Sequence, residues 1–178
     1  MIETNFTPFP VLATDRLILR QIETFDDKDI FVHRSDDRVN SYLEGFRHAS
    51  IEETQAFIAR IQQQVSIGKS ILWVLTQKNN NKFIGTICLW NISHEDRSAE
   101  TGYTLDPEFH GKGYMQEALV KIIDFGFNFM KLRIIEAYTH KDNRGSKQLL
   151  LRNEFKMNVA DKKEDCGPDL IVFTLTNE

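Results

Sequence analysis

The stretch Leu105–Ala118, LDPEFHGKGYMQEA, limits what this chain can fold into more than any other part of it. Gly111 and Gly113 stand between an extended apolar run and a long amphipathic stretch that begins near Tyr114. A strand, a glycine turn and a helix start together make an anion site. Amides in the turn and in the first helical turn lack intrachain acceptors, and the helix dipole puts partial positive charge there. Side chains at 111 or 113 would hold a diphosphate off those amides; glycine lets it approach. Lys112 adds a full positive charge inside the turn. The residues therefore predict a phosphate-bearing ligand. The spacing is neither the G-x-G-x-x-G of dinucleotide folds nor the G-x-x-x-x-G-K-[ST] of P-loops.

Periodicity around that turn predicts a mixed α/β chain. Leu12–Ile22 alternates apolar and polar residues like a half-buried strand, and Ile71–Gln77, Phe83–Ile92 and Ala99–Leu105 read as further strands. Asn79–Lys82 is the turn of a hairpin between the second and third of these. Phe25–Ser35 and Ile51–Ile67 read as helices, the latter opened by a capping box of Ser50 and Glu53. Tyr114–Met130 is a helix whose apolar face (Met115, Leu119, Ile122, Ile123, Phe127, Met130) is broad enough to pack on a sheet. A strand at Arg133–Thr139, a helix at Asn143–Arg152 and a hairpin of Phe155–Ala160 with Leu170–Thr176 close the chain, and Asp161–Asp169 is a polar loop. The order is βααβββαβαββ.

At 178 residues the chain suits one domain, residues 1–178, with a core of its own. No apolar run is long enough to span a membrane, and no signal-peptide pattern precedes Thr14, so the expected setting is cytoplasmic. Cys88 in a core strand and Cys166 in a polar loop form no metal-type spacing, nor do His33, His48, His94 and His140; no metal is expected. A net charge of −4 disfavours nucleic acid as a partner. Acids crowd the segment Glu23–Glu53, while Lys112, Lys141, Arg144, Lys147 and Arg152 gather near the glycine turn. Such a division suits an amine on one side and phosphates on the other, although solvated helix faces would carry the same charges.

Four motifs, in order, resemble the GNAT superfamily of N-acetyltransferases, and within it the ribosomal-protein-alanine (RimJ/RimL-like) subgroup. Thr14–Arg20 matches the T-x-R-L-x-L-R strand, and Ala99–Tyr103 matches the A-E-x-G-Y strand. Gly111–Ala118 matches the G-x-G-Y-x-x-E-A helix start, and Asn143–Ser146 matches the N-x-x-S helix start. His110 and Met115 depart from the family's Gln/Arg and small residue in the Q/R-x-x-G-x-G/A loop, and Glu154 stands where relatives carry glycine, with Asn153 able to cap the helix instead. The resemblance implies the GNAT fold: a mixed central sheet, flanked by helices, splayed between its fourth strand (Ala99–Leu105) and its fifth (Arg133–Thr139). It implies acetyl-CoA as co-substrate, its pantetheine arm in that gap against Tyr103 and Leu105, and its diphosphate at His110, Gly111, Lys112, Gly113, Tyr114 and Met115. His110 is expected to cap the loop rather than donate to a phosphate, and Met115 fits the loop if its side chain points into the core and only its amide faces the ligand; pointing outward, it would compromise the phosphate site.

Acetyl transfer from a thioester needs positioning, a base for the ammonium and an acid for the thiolate, with N–H donors for the developing oxyanion near Tyr103–Leu105. Glu100, the only carboxylate in the predicted core strand, is the candidate base; an edge-facing or salt-bridged glutamate and a water relay are the alternatives. Ser146 is the candidate acid on its family position, against serine's ordinary preference for a first helical turn; Asn143 is expected to cap that helix and touch the pantetheine arm. Tyr138 is an alternative acid, and Trp73 and Trp90 are core or cleft lining. The expected acceptor is a protein N-terminal α-amine, with a small cationic amine as the enzyme alternative and a non-catalytic acyl-CoA sensor as the competitor. The resemblance allows a homodimer, which the sequence itself does not show.

Overall fold

The computed structural model describes residues 1–158 and 168–177. Eight strands form one sheet in the order β1-β2-β3-β4-β5-β6-β8-β7: β1 (Leu12–Ala13), β2 (Leu17–Gln21), β3 (Ile71–Gln77), β4 (Phe83–Ser93), β5 (Ser98–Leu105), β6 (Ile134–His140), β7 (Lys156–Asn158) and β8 (Leu170–Thr176). Every neighbouring pair is antiparallel except β5 and β6, which run parallel. The crossover between them carries helix α3 (Tyr114–Asp124), as a parallel pair requires. Helices α1 (Asp27–Ser35) and α2 (Ile51–Ser66) cover one face of the sheet, and α3 with α4 (Arg144–Arg152) covers the other.

That double cover explains β3, which reads ILWVLTQ and is buried on both faces through Thr76. Leu72 and Val74 pack with Ile30 and Ile58 beneath α1 and α2. Ile71, Trp73 and Leu75 join Met115, Leu119 and Ile122 beneath α3. Each such side chain contributes about 1.5–3 kcal/mol on burial. Trp73 keeps its indole N–H satisfied by the carbonyl of Pro10, 2.8 Å away.

Local details differ from the sequence expectation. Leu12–Ile22 is not one strand. It folds back on itself as β1 and β2, because the hydroxyl of Thr14 accepts the amide of Leu17 and closes a turn over Thr14–Arg16. Helix α3 stops at Asp124 and continues as a π-helical turn, Phe125–Phe129, in which Met130 donates to the carbonyl of Phe125 five residues back. At α2, Ser50 accepts the amide of Glu53 as expected, but the Glu53 carboxylate takes the amide of Ala49 in place of that of Ser50. The strand expected to end at Ala160 is described as far as Asn158, and both its last two residues and Cys166 lie outside the described residues. Among the described residues, no helix is long and apolar enough to cross a membrane.

Candidate active site

Strand β5 pairs with β6 only at Ser98–Ile134, Ala99–Ile135 and Glu100–Glu136; beyond that rung the two strands part. On its other side β5 stays paired to β4 as far as Leu105. The amide of Asp106 donates to the carbonyl of Ile84, and an antiparallel ladder alternates its bonding direction residue by residue. Tyr103 and Leu105 therefore turn their backbone groups away from β4, into the gap. The parting of the two strands leaves backbone of β5 without a strand partner, a place where a ligand can pair.

Directly after β5, the turn of Gly111–Gly113 leads into α3. Gly111 has φ 71° and Gly113 φ 80°, left-handed values that glycine adopts without strain. Nothing lies within 4 Å of where a Cβ on Gly111 would be, so the space over the turn is open. The first helical acceptor is the carbonyl of Gly113, taken by Glu117; the amides of residues 111 to 116 have no backbone acceptor among the described residues. The ring of His110 folds back to the carbonyl of Leu105 at 3.0 Å, and the ammonium of Lys112 reaches the carbonyl of Glu108 at 2.8 Å. Met115 is buried and faces the core. Tyr114 turns its ring toward Phe109 and its hydroxyl to Gln77, away from the open amides. What remains exposed at this turn is backbone with a favourable dipole, a cradle that fits a diphosphate.

The two faces of β5 carry different chemistry. Tyr103 points to the α3–α4 side, where its hydroxyl meets that of Ser146 at 2.8 Å. Burial pushes the Tyr103 phenol up to about 12, against the opposing pull of Ser146, so it stays a neutral hydroxyl. Asn143 caps α4, its side-chain oxygen accepting the amide of Ser146 at 3.0 Å.

Glu100, Gly102 and Thr104 point to the α1–α2 side. Glu100 is 7% exposed and accepts from the amide side chain of Asn91 at 2.6 Å. Glu136 stands beside it in register across the last paired rung. Trp90, 50% exposed, is the β4 partner of Glu100, and its indole nitrogen lies 3.8 Å from where a Cβ on Gly102 would be. Cys88 lies behind Gly102, its thiol donating to that residue's carbonyl at 3.4 Å, and burial pushes the thiol up to about 11. That shift keeps the group in its thiol form. Further along, the hydroxyl of Thr104 bonds the ring of His33 at 2.8 Å and the hydroxyl of Thr86 at 3.0 Å. Burial lowers His33 to about 4, so the imidazole is neutral. Tyr42, from the α1–α2 connection, lies with its ring tilted against that of His140 at the end of β6, centroids 5.4 Å apart. A cleft of about 400 Å³ lined by Asn91, Ser93, Asp96, Ile134 and Glu136 opens beside the carboxylate pair.

The structure thus gathers Glu100, Tyr103, Leu105, Asn143 and Ser146 around one gap, with His110–Met115 at its open end. Tyr138 lies on β6, on the same face as Glu136 and apart from Ser146. Sequence reading passed over three residues. Glu136 had a signal, as the one acid in the alternating strand Ile134–His140. Asn91 had none, since it sits in an irregularity of the β4–β5 register that only pairing reveals. Arg16 lay within a quoted motif, yet nothing in the sequence says that it reaches the glycine turn.

Residues 16–156 match the acetyltransferase (GNAT) domain family. The chain is 34% identical over 148 residues to an uncharacterized N-acetyltransferase, YoaA of Bacillus subtilis, covering 83% of this chain and 84% of that one. It is 32% identical over 139 residues to an uncharacterized N-acetyltransferase, p20 of Bacillus licheniformis, covering 78% of each. Among solved structures it is similar to RimL, a ribosomal alpha-N-protein acetyltransferase in complex with coenzyme A. The TM-score is 0.83 at 18% identity, over 94% of this chain and 98% of that one, a likeness of fold.

Proposed function

The chain belongs to the GNAT acetyltransferase family, and from that premise we propose that it moves the acetyl group of acetyl-CoA onto a primary amine, with a protein N-terminal α-amine as the acceptor. The observation that carries this reading is the placement of candidate base and acid on opposite faces of one strand, beside the gap between β5 and β6. An amine approaching from the α1–α2 side meets Glu100 first. A thiolate departing toward α4 meets Ser146, whose hydroxyl Tyr103 and whose helix cap Asn143 both fix. Glu100 takes the first proton from the ammonium directly or through water; the freed nitrogen bonds to the thioester carbon, the carbon–sulfur bond breaks, the nitrogen gives its second proton to water, and sulfur receives one from Ser146, whose hydroxyl water reprotonates. Backbone N–H groups of Tyr103 and Leu105, already aimed into the gap, face the carbonyl oxygen as it gains charge. The amides at His110–Met115 would hold the diphosphate, and backbone at Tyr103 and Leu105 with the Asn143 side chain the pantetheine arm. The reading includes one acetyltransferase domain over residues 1–178 and a cytoplasmic setting.

A small cationic amine is the second acceptor class, favoured by the Glu100–Glu136 pair and the exposed face of Trp90, which together suit a compact ammonium. Release of CoA thiol measured across N-terminal peptides, polyamines and aminoglycosides decides between them. Rates concentrated on peptides support the proposal, and rates concentrated on polyamines or aminoglycosides transfer it to the second class. Binding of acetyl-CoA with no thiol release for any amine would make the protein a sensor of acyl-CoA.

A further inference from the structure

We propose that Arg16 is a positioning residue for the diphosphate: it braces the glycine turn from outside, so that the amides of residues 111–115 already converge before a ligand arrives. The inference rests on the reading of that turn as the diphosphate site.

Three contacts tie one guanidinium to three points of the turn. One terminal nitrogen donates to the carbonyl of Lys112 at 2.9 Å. The Nε forms an ion pair with Glu117 in the first turn of α3. The guanidinium carbon lies 4.1 Å from the ring centroid of Tyr114. The same side chain sits 3.3 Å from where a Cβ on Gly113 would stand. The backbone joins in, since the hydroxyl of Thr14 and the amide of Arg16 both donate to the other oxygen of Glu117, at 2.7 and 3.3 Å. The turn between β1 and β2 thus grips the opposite end of the sequence motif across about a hundred residues of chain.

The turn needs such a grip for two physical reasons. Two glycines in left-handed conformations leave the free loop many alternatives, and converging N–H dipoles repel one another. Ordering that loop at the moment of binding would subtract from affinity; ordering it beforehand does not. The second reason is charge. A carboxylate at position 117, one turn behind the open amides, would oppose an anionic ligand. Burial raises the Glu117 carboxyl, but the hydrogen bonds from Thr14 and Arg16 prevail and hold it below the usual range, ionised and paired. Only a planar fork can bond Lys112, pair with Glu117 and stack on Tyr114 at once, so lysine is a poor substitute.

The test compares two acyl donors, acetyl-CoA and S-acetylpantetheine, which lacks the diphosphate, using the acceptor that gives the fastest thiol release. For Arg16→Met, KM for acetyl-CoA should rise about tenfold to thirtyfold with kcat within about twofold, while both parameters for S-acetylpantetheine stay put. Arg16→Lys keeps the charge and the fold, and should still show at least about a fivefold higher KM for acetyl-CoA. Equal losses on both donors would mean that Arg16 only holds the fold together and would overturn the proposal. Full recovery with lysine would reduce the role to bare charge and overturn it as well. A wild-type protein that uses both donors equally well would instead defeat the diphosphate reading itself. Should Arg16→Met fail to fold, Arg16→Lys and Glu117→Gln, which loses the ion pair but keeps the Thr14 contact, carry the same comparison of donors.

Discussion

The glycine turn and the proposed acceptor face lie on either side of one gap and are built from different material. The turn presents main chain: open amides, two glycines, a helix start, and side chains that fold back onto carbonyls or away into the core. The acceptor face presents side chains: Glu100 and Glu136 in register, Trp90, and His33 bound to Thr104. Main chain recognises what every acyl-CoA has in common, whereas side chains can be exchanged without moving a strand. The donor site is therefore expected to resist substitution because its geometry would fail, and the acceptor site to change ligand while keeping its frame.

That contrast can be broken at its strongest point by Gly113→Glu. The substitution sets a side chain at φ 80° and drives it at the Arg16 guanidinium, 3.3 Å from where its Cβ would stand, so the turn loses its shape and acetyl-CoA affinity by calorimetry should fall by roughly a hundredfold or more. Unchanged affinity would remove the diphosphate from this turn.

An effect of similar size sharpens the other side. Glu100→Gln should lower kcat by about a hundredfold or more and leave acetyl-CoA affinity within about twofold, because it touches only the acceptor face. If acetyl-CoA binding fell in parallel, the two regions would not be separable.

The smallest effect concerns stability. His33 has a folded value of about 4 against an ordinary 6.5, so the unfolded chain binds the extra proton between those values. The contribution of the neutral ring is complete above pH 6.5 and is lost as the pH falls toward 4. Between pH 7 and pH 5 this amounts to about 2 kcal/mol. Urea unfolding of His33→Gln should show that much less dependence on pH than the wild type, and identical slopes would assign the acid sensitivity to other groups.

The two materials also explain what could be read from the chain before its structure. Glycines at 111 and 113 followed by an amphipathic run state their own geometry, because few conformations satisfy that order of residues. The strand with Glu100 was legible for the same local reason. Which residues flank Glu100 was not. Asn91 reaches it only because the β4–β5 register slips between Trp90 and Ser93, and Glu136 only because a parallel partner arrives from thirty-odd residues away. The hairpin of β1 and β2 was missed because a Thr14 hydroxyl, invisible to periodicity, closes its turn. Local chemistry reads from sequence; adjacency between distant segments requires the fold.

The π-helical turn after α3 brings its backbone close against the sheet. A Cβ on Gly126 would stand 2.9 Å from the terminal carbon of Ile135, on the strand that forms one jaw of the opening. One added methyl there would have to push aside the far end of the Ile135 side chain and, 3.3 Å away, that of Leu132. The spacing between this helix and the sheet is thus set from behind, by a residue that has no side chain.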